Sequence, residues 1–170
     1  MKKPIPDLVE QVLDTWQRNA TISDTLITAI PPGALAIAPY GPKARTLGQQ
    51  LAHVHNVRCA WLRANSKELG RAVPTFPRGA SPTKASLRAA FKNSAGAIED
   101  LLREALLGNR RLKLFGGEPV LFLGYLIAHE SHHRGQIATH LKQHGSPLSE
   151  KVALTGLWSA WGYSAWAALV

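Results

Sequence analysis

Apolar residues recur at three- and four-residue steps through most of the chain, the pattern of helices that bury one face. The first stripe is Leu8, Val9, Val12, Leu13, Trp16, Leu26, Ile27 and Ile30, and it predicts a helix over about Asp7–Ile30 with a polar gap near Arg18 and Asn19. Pro31-Pro32-Gly33 stops it, because proline removes a backbone donor and clashes with the preceding turn. A loop leads to about Lys43. Leu47, Leu51, Val54, Trp61 and Leu62 then predict a second helix from near Thr46 to about Glu68, with Thr46 and Gln49 at capping-box spacing. The stretch Gly70–Ala80 holds Pro74, Pro77 and Gly79 and reads as a linking loop.

Ser81-Pro82 opens a third helix, with Ser as cap and Pro at the first helical position. Its stripe is Leu87, Phe91, Ile98, Leu101, Leu102, Ala105 and Leu106, and Gly108 ends it. Arg111–Gly117 is a short connection, extended at Lys113-Leu114-Phe115. Pro119 opens a fourth helix that runs to about His144, with Gly145 at the C-cap and Pro147 beyond. Ser149 caps a last helix over the tryptophan-rich tail. Strand-like alternation is sustained nowhere. The expected fold is all-α, an antiparallel four-helix bundle with an additional C-terminal helix, forming one domain over residues 1–170.

Composition supports this. A chain of 170 residues that is 45% apolar can fill one core and offset its ordering entropy. Its 20 Lys and Arg against 11 Asp and Glu give a net charge of +9, which can attract nucleic acid, anionic lipid or acidic small molecules. The cations are spread along the chain. The densest group, Arg110-Arg111-Lys113, falls where a helix ends and complements its dipole. A solvated basic surface is therefore preferred to a nucleic-acid site. Cys59 is the lone cysteine, so no internal disulfide can form. The basic N-terminus meets Asp7 and Glu10 without a long apolar run, unlike a secretory signal. A cytoplasmic location is expected. Val152–Val170 carries no charge and approaches the roughly 20 residues of a spanning helix. Its tryptophans sit in the middle rather than at the two interfaces, so it reads as a buried C-terminal helix or a subunit contact, not a membrane span.

The chemistry is concentrated in histidine. Five of the seven histidines lie between His129 and His144. His129 and His133 are one helical turn apart and project together from a face that also carries Phe122, Leu126, Gln136, Ile137 and Leu141. Two bare imidazoles inside a bundle are costly, and a metal ion would satisfy both. A catalytic metal site commonly takes a third protein ligand and keeps an open position. The second helix offers His53, near Gln50, Val54 and Val57, and His55, nearer Leu51, Arg58 and Leu62. Periodicity does not choose between them.

Two segments carry a resemblance. His129-Glu130-Ser131-His132-His133-Arg134-Gly135-Gln136-Ile137, followed by Leu141 and Gly145, and Leu51-Ala52-His53-Val54-His55-Asn56-Val57-Arg58, with Trp61-Leu62, are similar in content and order to the signatures of the DinB-like (DinB/YfiT-like) family. The resemblance implies a metal triad of His53, His129 and His133, with His55 as the extra histidine. It also implies a four-helix bundle with an added helix, and a homodimer.

The neighbours of the triad have both structural and functional readings. Glu130 lies about 100° around the helix from His129 and four residues before Arg134, which suits an exposed ion pair, preferred to a catalytic role. His132 reads as a surface residue, or a group behind the ligands. Gln136 orients a ligand or bound water, or else ties helix to helix. Asn56 and Arg58 contact substrate or tie helices, the latter preferred. Gly135 is expected to allow close helix approach, and Cys59 to be an inert buried thiol. The tryptophans Trp158, Trp161 and Trp166 are expected in a core or interface.

The resemblance further implies a metal-dependent transferase using a low-molecular-weight thiol, which the metal binds as thiolate for attack on an electrophilic small molecule. A hydrolase of the same type is the neighbouring possibility. Zinc or nickel is the preferred metal. A non-enzymatic metal-binding stress-response protein is the alternative, and a basic bundle that binds nucleic acid is a third that the scattered charges disfavour.

Overall fold

The computed structural model describes residues 7–41 and 43–162. Those residues are mostly helical, with no β-strand among them. Four long helices, α1 (Leu8–Ala29), α2 (Leu47–Asn65), α4 (Lys84–Leu106) and α5 (Pro119–Gln143), are joined by loops and by a short α3 (Lys67–Ala72). Each of α1 and α2 packs against both α4 and α5. No helix among the described residues is long and apolar enough to cross a membrane.

The ends follow local chemistry. The Asp7 carboxylate accepts from the Glu10 N–H at 2.9 Å and opens α1. Thr46 and Gln49 form the capping box of α2, each side chain bonded to the other's backbone N–H. Pro119 stands in the first turn of α5, and Gly145, at φ 70°, follows its last turn.

Three boundaries differ from expectation. The second helix stops at Asn65, three residues early, because Ser66 turns extended and its hydroxyl caps the Leu69 N–H of α3. The turn lets α3 fold back on α2: a Cβ on Gly70 would lie 2.5 Å from Arg63 Cγ and 2.7 Å from Arg63 Cα. Thr83, not Ser81, caps α4, since Thr83 has Ser86 three residues on to complete a capping box. The connection expected to be extended over Lys113-Leu114-Phe115 is extended at Leu114, whereas Phe115, at φ 59°, opens a 3₁₀ turn over Phe115–Gly117.

After α5 the chain winds into a π-helix at Lys151–Gly156 and a 3₁₀ turn at Ser159–Trp161. Both lie against α1, and Arg18 Nη1 donates to the Ala160 carbonyl. This segment has no buried residue as far as Gly162, so it is not the buried helix expected. Trp158 is 56% exposed and Trp161 38%. Trp166 lies outside the described residues.

The core is divided. One apolar cluster holds Leu13, Trp16, Leu62, Ile98, Leu101, Phe122 and Leu126; a second holds Leu26, Ile27, Leu47, Leu51, Leu87, Ile137 and Leu141. Between them every long helix contributes a buried polar residue: Asn19 and Ser23 from α1, His55 and Arg58 from α2, Ser94 from α4, Glu130 from α5. The clusters also give the direction of each helix. Helices α1 and α5 run from the first cluster to the second, while α2 and α4 run from the second to the first. The α1/α4 and α2/α5 contacts are therefore antiparallel, and α1/α5 and α2/α4 parallel. The link between α2 and α4 is accordingly a crossover along the bundle: Val73 packs in the first cluster and Phe76 against the second.

Candidate metal centre

The histidine of α2 and the pair on α5 meet where these two helices pack. The ring centroids of His53, His129 and His133 lie 4.6–5.6 Å apart. One ligand atom from each ring falls within 4.8 Å of the others. His129 and His133 approach most closely, Nε2 to Nε2, at 3.2 Å. Tetrahedral coordination at about 2.0–2.1 Å would set ligand nitrogens roughly 3.4 Å apart, so that pair already has the spacing of two ligands. Among the described residues the group has no fourth protein member.

Burial lowers the pKa of all three rings. Arg45 and His129 push His53 further down, His133 and His132 do the same to His129, and His53 and His132 to His133. Each imidazole is therefore neutral near pH 7 and keeps a lone pair, the form in which histidine binds metal. Tyr125, one turn before His129 on α5, lies stacked against its ring at 5.8 Å.

A model of the DinB family matches residues 5–162. The chain belongs to the DinB family. No curated protein and no solved structure gave a match.

In this DinB protein, His55 is wholly buried and directed away from α5. Its Nδ1 meets Ser94 Oγ at 3.2 Å and its Nε2 meets the Pro74 carbonyl at 2.9 Å. Asn56 beside it clasps the crossover, donating from Nδ2 to the Phe76 carbonyl and accepting the Phe76 N–H, both at 2.9 Å. His55 and Asn56 thus hold the returning chain against α2. Cys59 is buried, and burial raises its thiol pKa against the opposing charges of Arg63 and Arg58.

Glu130 corrects the expectation of an exposed ion pair. It is 1% exposed and takes a two-pronged contact from Arg58, at 2.6 and 2.7 Å. Asn19 and Ser23 donate to it at 2.8 and 3.1 Å, and Arg134 stands 3.6 Å away. Helical phase hides this, because the face about 100° around from His129 meets α1 and Arg58 of α2 rather than solvent. Burial alone pushes the Glu130 carboxyl up, but the charge and hydrogen bonds of Arg58, the charge of Arg134 and the Asn19 bond hold it below its ordinary value. His132 is exposed, its ring edge-on to His133 at 5.4 Å. Gly135 is exposed too, and a Cβ there would meet nothing within 4 Å, so it serves no close helix approach.

Gln50 was not singled out by the sequence. Its amide lies 3.1 Å from His133 Nδ1 and 2.5 Å from Gln136 Oε1. The signal was available: Gln50 precedes His53 by three residues on one helix face. It links α2, α5 and the ring of His133.

Proposed function

We propose that this protein holds one divalent transition metal through His53, His129 and His133 and uses it in a transferase or hydrolase reaction on a small molecule. The observation that carries the proposal is the convergence of three imidazoles from two helices beside an open cleft of about 600 Å³, whose wall includes His53. Three donors fit an ion that keeps a free position. When bound there, the metal would supply Lewis acidity and lower the pKa of a coordinated thiol or water.

The chain's own residues account for the rest. His129 and His133 are held one turn apart by α5, and Gln50 fixes the ring of His133. The cleft admits a molecule of metabolite size. A low-molecular-weight thiol as co-substrate and zinc or nickel as the metal belong to this proposal on the strength of the family resemblance. A cytoplasmic location is supported by the lone cysteine. A homodimer is supported by the exposed Trp158 and Trp161, which a second copy could cover.

Elemental mass spectrometry on untagged protein tests the centre. About one equivalent of metal per chain is expected, falling below a tenth in His53→Ala and in His133→Ala, with His55→Ala keeping its metal. Metal-free protein after reconstitution would end the proposal. Metal without turnover in thiol-transfer and hydrolysis screens would leave a non-enzymatic metal-binding protein in its place.

A further inference from the structure

The cleft beside His53 is lined by Lys43, Arg45 and Arg78, together with Gln49 and Asn56. Among the described residues no carboxylate lines it. Among the described residues none of the three cations has a hydrogen-bond or ion-pair partner, and the Asn56 amide is spent on Phe76. The opening thus presents positive charge with no negative side chain among the described residues to balance it. The N-terminus of α2, at Leu47, adds the positive end of a helix dipole to the same place.

The three cations of the cleft belong to a stretch of the chain that is poor in acids. Between Asp24 and Glu99 the chain has ten Lys and Arg and one acid, Glu68, so this stretch alone carries the whole net charge of +9. Its other cations include several already engaged. Arg58 is buried against Glu130, Arg88 pairs with Asp24, and Lys84 donates to the Thr28 carbonyl. Those lining the cleft have no such partner among the described residues. Arg45 lines the same cleft as His53, which puts its charge beside the histidine centre.

We infer that this cleft binds the anionic group, a carboxylate or a phosphate, of a small-molecule substrate through Lys43, Arg45 and Arg78, leaving the rest of that molecule on the His53 side. A guanidinium presents paired N–H donors that match either oxyanion in a two-pronged contact. A concave site of this size with cations on its rim suits a metabolite-sized anion better than a polynucleotide, which needs an extended basic track. The orientation toward His53 rests on the metal-centre proposal; the anion site itself does not.

The test is amide NMR on uniformly labelled protein, as isolated and after metal removal, in phosphate-free buffer. Succinate and its neutral counterpart succinamide are the probes. Succinate is expected to give saturable shifts at Ala44, Arg45, Gln49, Gly79 and Ala80, and succinamide none. The Arg45→Gln/Arg78→Gln variant should bind succinate at least tenfold more weakly with its remaining spectrum intact. Lys92→Gln/Lys142→Gln, which removes the same charge elsewhere, should bind as the parent does. Equal shifts with succinamide, or equal weakening by both variants, would overturn the anion site. So would a short single-stranded DNA whose shifts extend over Arg63, Lys67 and Arg71 and that displaces succinate. Because the metal-free sample is read separately, loss of the metal proposal and loss of this one are distinguishable.

Discussion

Which atom of His133 carries its proton decides whether the ring can take a metal, and Gln50 controls that choice. Nε2 of His133 faces His129, so coordination there requires the proton on Nδ1, which must then donate. In one arrangement of the amides, Gln50 donates from Nε2 to both Nδ1 and Gln136, which blocks it. Turning both amides over preserves every contact: His133 Nδ1–H donates to Gln50 Oε1, and Gln136 donates to the same oxygen. Amide orientation follows from such networks rather than from shape. Gln50→Glu, an obligate acceptor, should therefore keep or tighten metal binding, whereas Gln50→Leu should weaken it about 10–100-fold. Competition against a chromophoric chelator reads both, and equal affinities would refute the role. The histidines themselves were legible from four-residue spacing on one helix. The choice of His53 over His55 was not, since both stand on partly apolar faces, and only packing shows that His55 meets α4 and the crossover. Gln50 was placed beside His53 but given no role, because its partners His133 and Gln136 lie on another helix and only packing brings them within reach.

At the level of elements, capping chemistry made most boundaries readable. Asp7, Thr46, Pro119 and Gly145 act where their residue types indicate. The misplaced boundaries arose where a competing cap stood nearby: Thr83 prevails over Ser81 by having Ser86 three residues on, and Ser66 interrupts a helix whose apolar stripe had already lapsed. The capping box at Thr46 also anchors the end of α2 that leads to Gln50 and His53. Thr46→Ala should cost about 1 kcal/mol, which for a chain of this length lowers Tm by roughly 2–4 °C. The Thr46→Ser variant, which keeps the hydroxyl acceptor, should restore most of it. Thermal melts of the three proteins check this, and an unchanged Tm in Thr46→Ala would mean that the helix start is held by its packing alone.

Across the whole molecule, the buried layer at Arg58 and Glu130 is where sequence reasoning had least purchase. Helical periodicity marks apolar stripes and says little about which charged residues cross the middle of a bundle. The polar gap near Asn19 in α1 was visible, and it is the one sign in the pattern that the core is interrupted. Arg58 lies against the rings of Trp16 and Phe91, 4.9 and 4.6 Å from their centroids, so the pair is packed as well as bonded. Removing one partner strands the other charge, and either Arg58→Met or Glu130→Leu should cost about 3–5 kcal/mol. The double replacement should cost less than the sum of the two, since neither member of the Arg58–Glu130 pair is stranded by loss of the other, while Arg134 keeps its bonds to Ser23 and Ser131. Acid titration supplies an independent check. A carboxylate whose pKa is lower in the folded state than in the unfolded one contributes stability in full above its unfolded value, and that stability is lost as pH falls through the folded value. Glu130 is such a group. The parent should therefore lose stability progressively below about pH 4.5, and the double variant should show a shallower acid slope in urea melts. An unchanged slope would assign acid sensitivity to the surface carboxylates, and a double variant as unstable as the sum of the singles would mean that the layer holds the helices through packing rather than charge.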